Sequence, residues 1–398
     1  MKKRLKIGIA GAGIGGLAAA ALLADQSHDV TVFDQFDTPK PVGSGLVIQP
    51  VGRRVLDAIG AGHSARAMGR NIHRMLGREM RSGRRVLDVS YGSSYGLAIH
   101  RAALFQCLMD AVIARPVRLA TNHSVTRRDA AYLEFEQQDR AGPFDLIIDA
   151  SGAQSQLSPL TARALPYGAI WTTVDWPKTD LSLTELSQRY RRANRMIGVM
   201  PIGVMPGQTT QKAALFWSLP RESYDDWRAG GLAAWKAEAH DLWPALAPFL
   251  DQITSQDQMV MARYSHGTLR RPFGNGIAHI GDAAHRASPQ LGQGANMALL
   301  DAWALSEALR YFPLENALPA YARARRGHVM AYQSMSATFT PQYQSDSRIL
   351  PFVRDRILFP LSVLPPAKQI LTALVRGNIL PPLGYLTPQD QPALLNEI

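Results

Sequence analysis

The sequence predicts an α/β protein: a Rossmann-like dinucleotide-binding lobe on a parallel sheet, a second lobe on a mixed β-sheet, and a helical carboxy-terminal region. Three observations carry the prediction. At the amino terminus an apolar run over residues 5–10 leads through a glycine-rich turn into an alanine-rich helical stretch. Between residues 166 and 270, apolar patches at 196–199 and 213–217 flank the turn Met205-Pro206-Gly207, as strands of an antiparallel sheet would. Beyond residue 310, Pro351, Pro360, Pro365, Pro366, Pro381 and Pro382 punctuate short apolar segments.

The first element pair says most. In Gly11-Ala12-Gly13-Ile14-Gly15-Gly16, Gly11 permits a tight turn, Gly13 lets the backbone approach a pyrophosphate, and Gly16 lets a helix over residues 17–24 pack closely on the strand. That helix aims free N–H groups and the positive end of its dipole at the phosphates. A second strand over residues 29–33 ends at Asp34, about where an acid binds an adenosine ribose. The motif alone leaves NAD and FAD both open. Its glycines, with Gly8, also argue against a secretory leader, which Met1-Lys2-Lys3-Arg4 and the apolar stretch behind it imitate. No other segment has the ~18 uncharged apolar residues of a membrane-crossing helix.

A second signature stands far downstream. Residues 277–280 read as a strand, and Gly281-Asp282 ends it with a carboxylate suited to a polyol. The loop through Pro289 leads to a helix start at Gly292-Gln293-Gly294-Ala295-Asn296, with the helix running to Arg310. Such a start offers backbone donors to an anionic group.

Composition bounds the rest. A chain of 398 residues, 46% hydrophobic and 19% charged, is globular and excludes a disordered chain or a coiled coil. The net charge of +11 is scattered in pairs such as Arg53-Arg54, Arg84-Arg85 and Arg127-Arg128, without zinc-finger spacing or an RNA-recognition motif, so nucleic acid is not expected as a partner. The single cysteine, Cys107, excludes an intrachain disulfide and any cysteine-built metal site, and points to a reducing, cytoplasmic setting.

Four stretches then act together: GDAAHRASPQLGQGANMALLDAWAL from Gly281; Gly43-Ser44-Gly45-Leu46 to Gln49-Pro50; Ile99-His100-Arg101-Ala102-Ala103-Leu104; and Asp145 through Asp149-Ala150-Ser151-Gly152 to Ser155. They resemble the FAD-dependent aromatic hydroxylases of the single-component, class A flavoprotein monooxygenase type, with the para-hydroxybenzoate hydroxylase-like fold. The resemblance implies that Asp34 holds the adenosine ribose, Arg101 contacts FAD, and Asp282 hydrogen-bonds the ribityl chain. It places Gly45 beside the flavin ring, Pro289 near its reactive edge, and Gly292, Gln293, Gly294 and Asn296 around its pyrimidine end. Gly11, Gly13, Ile14, Gly15, Gly16 and Val125 complete the expected FAD set, and no metal is expected.

The implied reaction uses NADH or NADPH as a transient co-substrate and O2, and hydroxylates an aromatic or heteroaromatic small molecule through a flavin hydroperoxide. Because the flavin carries that chemistry, catalytic side chains are unassigned. His73, Tyr91, Tyr95 and Tyr264 are candidates to polarise a phenol, and His285 is expected to be structural. One departure stands out: Ser151-Gly152 replaces the Asp-Gly pair of the family's third motif, and Gln156, Leu157 and Ser158 stand where an arginine is usual. That keeps alternatives open: an FAD-binding ligand chaperone or sensor with weak NAD(P)H reduction, or another FAD oxidoreductase such as a halogenase or prenyl-chain reductase.

The spacing of the motifs makes the FAD-binding domain discontinuous, over residues 1–71, 99–165 and 271–310, with residues 72–98 and 166–270 forming the substrate domain and 311–398 the helical tail. Trp171, Trp176, Trp217, Trp227, Trp235 and Trp243 are expected as core residues, with an aromatic pocket as the alternative. In the tail, Arg354, Arg356, Lys368 and Arg376 interleave with apolar residues. Packing over the catalytic lobe is the preferred reading and peripheral membrane contact the alternative. A monomer or homodimer is expected.

Overall fold

Residues 5–10 and 29–33 lie in the middle of a six-stranded sheet, where strands covered on both faces must be apolar throughout. In the computed structural model, which describes residues 3–37, 44–137, 139–384 and 386, β1 (Lys6–Ala10) pairs in parallel with β2 (Asp29–Phe33) and β12 (Leu146–Asp149). β8 (Val117–Ala120) and β19 (Ile277–His279) extend the parallel set, and β18 (Phe273–Gly274) closes one edge antiparallel. Neighbouring strands therefore come from distant parts of the chain. Two helices, α1 (Ile14–Asp25) and α4 (Arg101–Ile113), pack together beside this sheet; every residue of α1 from Gly15 to Ala24 is buried. α1 begins three residues earlier than the sequence predicts, because Gly13 itself takes the extended N-cap conformation.

A small sheet, β3 (Gly45–Ile48), β7 (Gly96–His100) and β4 (Arg70–Ile72), follows, with α2 (Pro50–Ala58) and α3 (Gly62–Met68) on its flank. Another, β9 (Val125–Asp129), β10 (Tyr132–Phe135) and β11 (Arg140–Ala141), packs near Phe33 through Phe135. Gly43 lies outside the described residues, as do Met1, Lys2 and the tail beyond Leu386.

The large sheet runs β20–β17–β13–β16–β15–β14–β5–β6. Its strands are β5 (Arg74–Glu79), β6 (Arg85–Ser90), β13 (Arg163–Asp175), β14 (Glu185–Arg191), β15 (Arg195–Pro201), β16 (Lys212–Pro220), β17 (Val260–Thr268) and β20 (His285–Arg286). Only β14 and β5 pair in parallel, so the sheet is mixed. On one face lie α5 (Tyr224–Leu242) and α6 (Ala247–Leu250), and alternation along the strands sends Ile170, Ile197, Leu215 and Trp217 into that core. Trp235 and Trp243 are buried there, with Trp176 and Trp227 at its margin. Trp171 alone of the six points to the opposite face, stacked on Phe216 with centroids 4.6 Å apart. The pocket alternative thus narrows to one tryptophan.

After α7 (Gly294–Tyr311), the long α8 (Leu314–Tyr343) crosses to the large sheet, where Tyr343 meets Tyr190. α9 (Ile349–Val353), a single π-helical turn over Arg354–Leu358, α10 (Phe359–Ser362) and α11 (Ala367–Arg376) complete the described chain.

Candidate FAD and substrate site

The glycines of the first turn differ in what surrounds them. Gly11 has φ +102°, and a Cβ there would lie 2.6 Å from the Ala150 carbonyl oxygen. At Gly16 a Cβ would fall 2.0 Å from the Gly11 oxygen, so the absence of a side chain is what lets α1 lie on β1. At Gly13 a Cβ would meet only the Ala150 oxygen, at 4.0 Å, an ordinary contact. Asp34, at the end of β2, accepts a hydrogen bond from the Ala12 N–H (2.7 Å) and a second from the Phe36 N–H (3.1 Å), which fixes the carboxylate beside the glycine turn. Val125 packs in the small cluster of Phe33, Leu133 and Phe135 behind it.

On the other side of the cleft, Asp282 sits in a single 3-10 turn after β19. Its side chain is open to solvent, yet the surrounding protein desolvates it enough to raise the carboxyl above the usual range, against the pull of His285, Arg101 and Arg286. Arg101 is exposed at the first position of α4, and its charge reaches both Asp282 and the Tyr264 phenol. Pro289 opens a 3-10 turn capped by Ser288, and Gly292 ends it at φ +61°. Gly294 has open space where a side chain would stand, and the first N–H groups of α7 lack intrahelical partners.

Asn296, which the resemblance puts at the pyrimidine end, is buried with its side-chain amide fully engaged. Its Oδ1 accepts from the Gln49 N–H (2.7 Å) and its Nδ2 donates to the Val47 and Gly292 oxygens (3.2 and 3.0 Å), so the buried amide bolts β3 to the α7 start. Gln49 is the neighbour left with an unused polar atom. Its Oε1 accepts from the Tyr91 hydroxyl (2.7 Å), and its buried Nε2 has no partner and stands beside Gly292. Gln293 also leaves a buried Oε1 unpaired while its Nε2 reaches the Leu374 oxygen. An orphaned donor, two uncrowded glycine positions and a free helix start fit the polar rim of a flavin and its phosphates.

The four candidates to polarise a phenol have different surroundings. His73 is exposed and Tyr95 half-buried, ring centroids 6.0 Å apart, with the Arg53 guanidinium 3.6 Å over Tyr95. Tyr91 is buried; burial pushes its phenol up despite the bond to Gln49. Tyr264 accepts from Trp171 Nε1 (2.9 Å), and burial pushes its phenol up to about 12. Both therefore keep their protons at neutral pH and are donors, not bases.

Behind the cleft, Asp301 is fully buried and accepts from the Gly281 N–H, from His285 Nε2 (2.6 Å) and from Arg325 Nε (2.7 Å). His285 is thus a strut of the Asp282 turn. At the third motif, Asp149 is likewise buried: its Oδ1 accepts from the Ser151 N–H (3.1 Å), and its Oδ2 accepts from Ser155 Oγ (2.7 Å) and meets His279 Nδ1 (2.8 Å). Ser151 Oγ donates to the Ala10 oxygen (3.2 Å), and Ser158 Oγ to the Ala283 oxygen (2.5 Å), tying this turn to β1 and to the Asp282 turn. Gln49, Asp149 and Asp301 all lie inside the stretches that carry the resemblance, but nothing local marks the buried bonds each of them makes.

The parallel sheet with its glycine turn and the second motif at the α7 start have the features of a flavin-binding protein. Residues 4–334 match the model of the FAD binding domain family, and the chain belongs to that family. Over 325 residues it is 28% identical to 3-amino-4-hydroxybenzoate 2-monooxygenase of Streptomyces cremeus, an overlap of 75% of this chain and 76% of the relative. With the FAD-dependent urate hydroxylase of Klebsiella pneumoniae it shares 26% over 327 residues, 77% of this chain and 82% of the relative. The Klebsiella pneumoniae HpxO structure complexed with FAD and uric acid superposes with a TM-score of 0.81 at 21% identity, covering 95% of this chain and 98% of that one. FAD is the cofactor and the chain is an FAD-dependent monooxygenase. The relatives favour this over the halogenase, prenyl-chain reductase and ligand-chaperone readings.

Proposed function

We propose that the enzyme hydroxylates an uncharged aromatic or heteroaromatic small molecule, with NADH or NADPH as transient reductant, as a monomer or homodimer. Residues 1–71, 99–165 and 271–310 form the FAD-binding domain in this reading, and residues 72–98 and 166–270 the substrate domain. One observation carries the substrate class. On the face opposite α5, the three register rows of Ala169, Trp171 and Thr173 across β13, β16, β15 and β14 hold no charged side chain; Trp171, Phe216, Met196, Met200 and Gln188 are among them. A carboxylate seated there would lose its hydration with no cation in these rows, and the buried Arg354, 5.2 Å over the Tyr190 ring at their end, is already paired with Asp355.

When bound and reduced by NAD(P)H, FAD would activate O2 so that one of its atoms can pass to the ring. The chain's own residues bind and orient. Asp34 and the Gly13 turn support the adenosine and pyrophosphate end, Asp282 and Arg101 the middle, and Gln49 Nε2 with the α7 start the flavin end. Tyr264 Oη, held by Trp171, keeps a proton to offer to a ring oxygen. Trp171 and Phe216 supply a flat apolar wall that keeps water from the ring.

The test is aerobic NADH and NADPH oxidation by FAD-loaded enzyme against neutral phenols and heteroaromatics, each paired with its carboxylated analogue. Neutral members should stimulate oxidation and yield hydroxylated products, with kcat/KM at least about tenfold above their acids. Equal or better turnover of the acids would sink the uncharged-substrate reading.

A further inference from the structure

The tail has two faces, one for the packing that the sequence favours and one that bears on the membrane contact it keeps as the alternative. Leu371, Leu374 and Val375 of α11 do pack over the catalytic lobe, against Val47, Met75, Tyr332 and Met297, and Arg376 Nε donates to the Tyr91 oxygen (2.7 Å). The opposite side is uncovered. Ile349 is 73% exposed, Phe352 62%, Leu361 56% and Leu364 55%, with Ile357 and Ile370 beside them in sequence. Soluble surfaces rarely gather large apolar side chains in this way.

Shape and charge set the occupant. Ile349–Ser362 and Ala367–Arg376 meet at 96°, with Val363, Leu364, Pro365 and Pro366 exposed at the corner. No single helix among the described residues is long and apolar enough to cross a membrane, and although the bent pair has the length and composition to do so together, Leu374 and Val375 hold α11 on the lobe, so the pair presents only its outer side as a shallow wedge. From residue 347 to 384 the chain holds Arg348, Arg354, Arg356, Lys368 and Arg376 against one acid, Asp355, which Arg354 Nε already pairs at 2.6 Å. Arg348, Arg356 and Lys368 are exposed among the apolar residues. An apolar wedge ringed by unpaired cations suits the boundary between acyl chains and anionic headgroups, where burial and charge attraction add.

We propose that the bent helical segment 349–376 docks the enzyme reversibly on an anionic lipid bilayer, its apolar corner inserted to headgroup depth. Docking would hold the enzyme where membrane-dissolved aromatic molecules are concentrated. It does not depend on the substrate class proposed above.

The experiment is sedimentation of the FAD-loaded protein with phosphatidylcholine vesicles and with vesicles containing 30% phosphatidylglycerol as a probe, at low and high salt, alongside its mass in solution without lipid. The protein should pellet with the anionic vesicles, release in high salt, and bind neutral vesicles roughly tenfold or more weakly. Leu361→Asp with Leu364→Asp should abolish pelleting, and Arg356→Glu with Lys368→Glu should reduce it roughly tenfold, while FAD content and NAD(P)H oxidation in solution stay at wild-type levels. Wild-type protein that ignores anionic vesicles overturns the proposal. So does a dimer in solution that the Leu361→Asp, Leu364→Asp variant splits without any vesicle binding by the wild type, since a second copy would then be what covers the wedge.

Discussion

A methyl group placed at Gly13 and one placed at Gly16 separate cofactor binding from folding. Gly13 has an ordinary φ of −77° and room for a Cβ, so Gly13→Ala should unfold within about 1 kcal/mol of wild type yet bind FAD more weakly. Gly16→Ala drives a Cβ to 2.0 Å from the Gly11 oxygen and should lose both stability and FAD. Thermal unfolding with and without added FAD distinguishes the pair; equal loss of folding in both would contradict the assignment. These glycines were readable in sequence because their work is done by the backbone, within a few residues. Gln49 was not, because its function depends on Tyr91 taking Oε1 and on Asn296 taking its N–H, partners supplied by folding. The same holds at Ser151: the departure from the family motif was visible, but not that Asp149, two residues earlier, holds the turn by accepting its N–H and the Ser155 hydroxyl.

Among the elements, one amide joins β3 to the α7 start, the pair that the proposed assignment puts at the flavin end. Asn296→Ala would strand the Gln49 N–H and the Val47 oxygen in a buried place, each costing about 1–3 kcal/mol. The expected result is a lower urea midpoint and weaker FAD retention on gel filtration, with the substrate sheet intact by near-ultraviolet circular dichroism. Retained FAD and an unchanged midpoint would remove Asn296 from this role. The strand and helix pattern around both nucleotide motifs was legible because parallel strands are apolar runs and helix starts are glycine-marked. The large sheet was legible only as alternating patches. Its strand order, with β14 beside β5, joins segments about a hundred residues apart, and no local signal encodes such pairing. The tail showed its amphipathic character in sequence, but which face stayed uncovered had to come from the packed structure.

For the molecule as a whole, buried ionisable groups set the response to acid. Burial first, then the charge of Arg325, lowers His328 to about 3, so the folded protein keeps a neutral imidazole whose Nε2 meets the Gly377 oxygen at 2.9 Å. The unfolded chain takes up that proton near pH 6.5, so stability is whole above that pH and is lost as pH falls towards 3. Between pH 7.5 and pH 5 the loss from this group is about 2 kcal/mol, and His328→Gln should abolish it in urea unfolding. Asp301 acts lower: burial pushes its carboxyl up, but His285 and Arg325 outweigh that and hold it at about 2, so its contribution is full above about pH 4 and fades as pH falls towards 2. Asp301→Asn should cost about 3–5 kcal/mol at neutral pH by leaving Arg325 buried without its partner. The central claim, that this FAD-dependent enzyme places one atom of O2 on an uncharged aromatic ring, is tested most directly by turnover under isotopically labelled oxygen (18O2), with NADH or NADPH and the neutral compound that stimulates oxidation best. The account predicts a hydroxylated product carrying one labelled atom, formed in step with NAD(P)H consumed. An unlabelled product, or reductant consumed across the whole panel with only hydrogen peroxide formed, would contradict it.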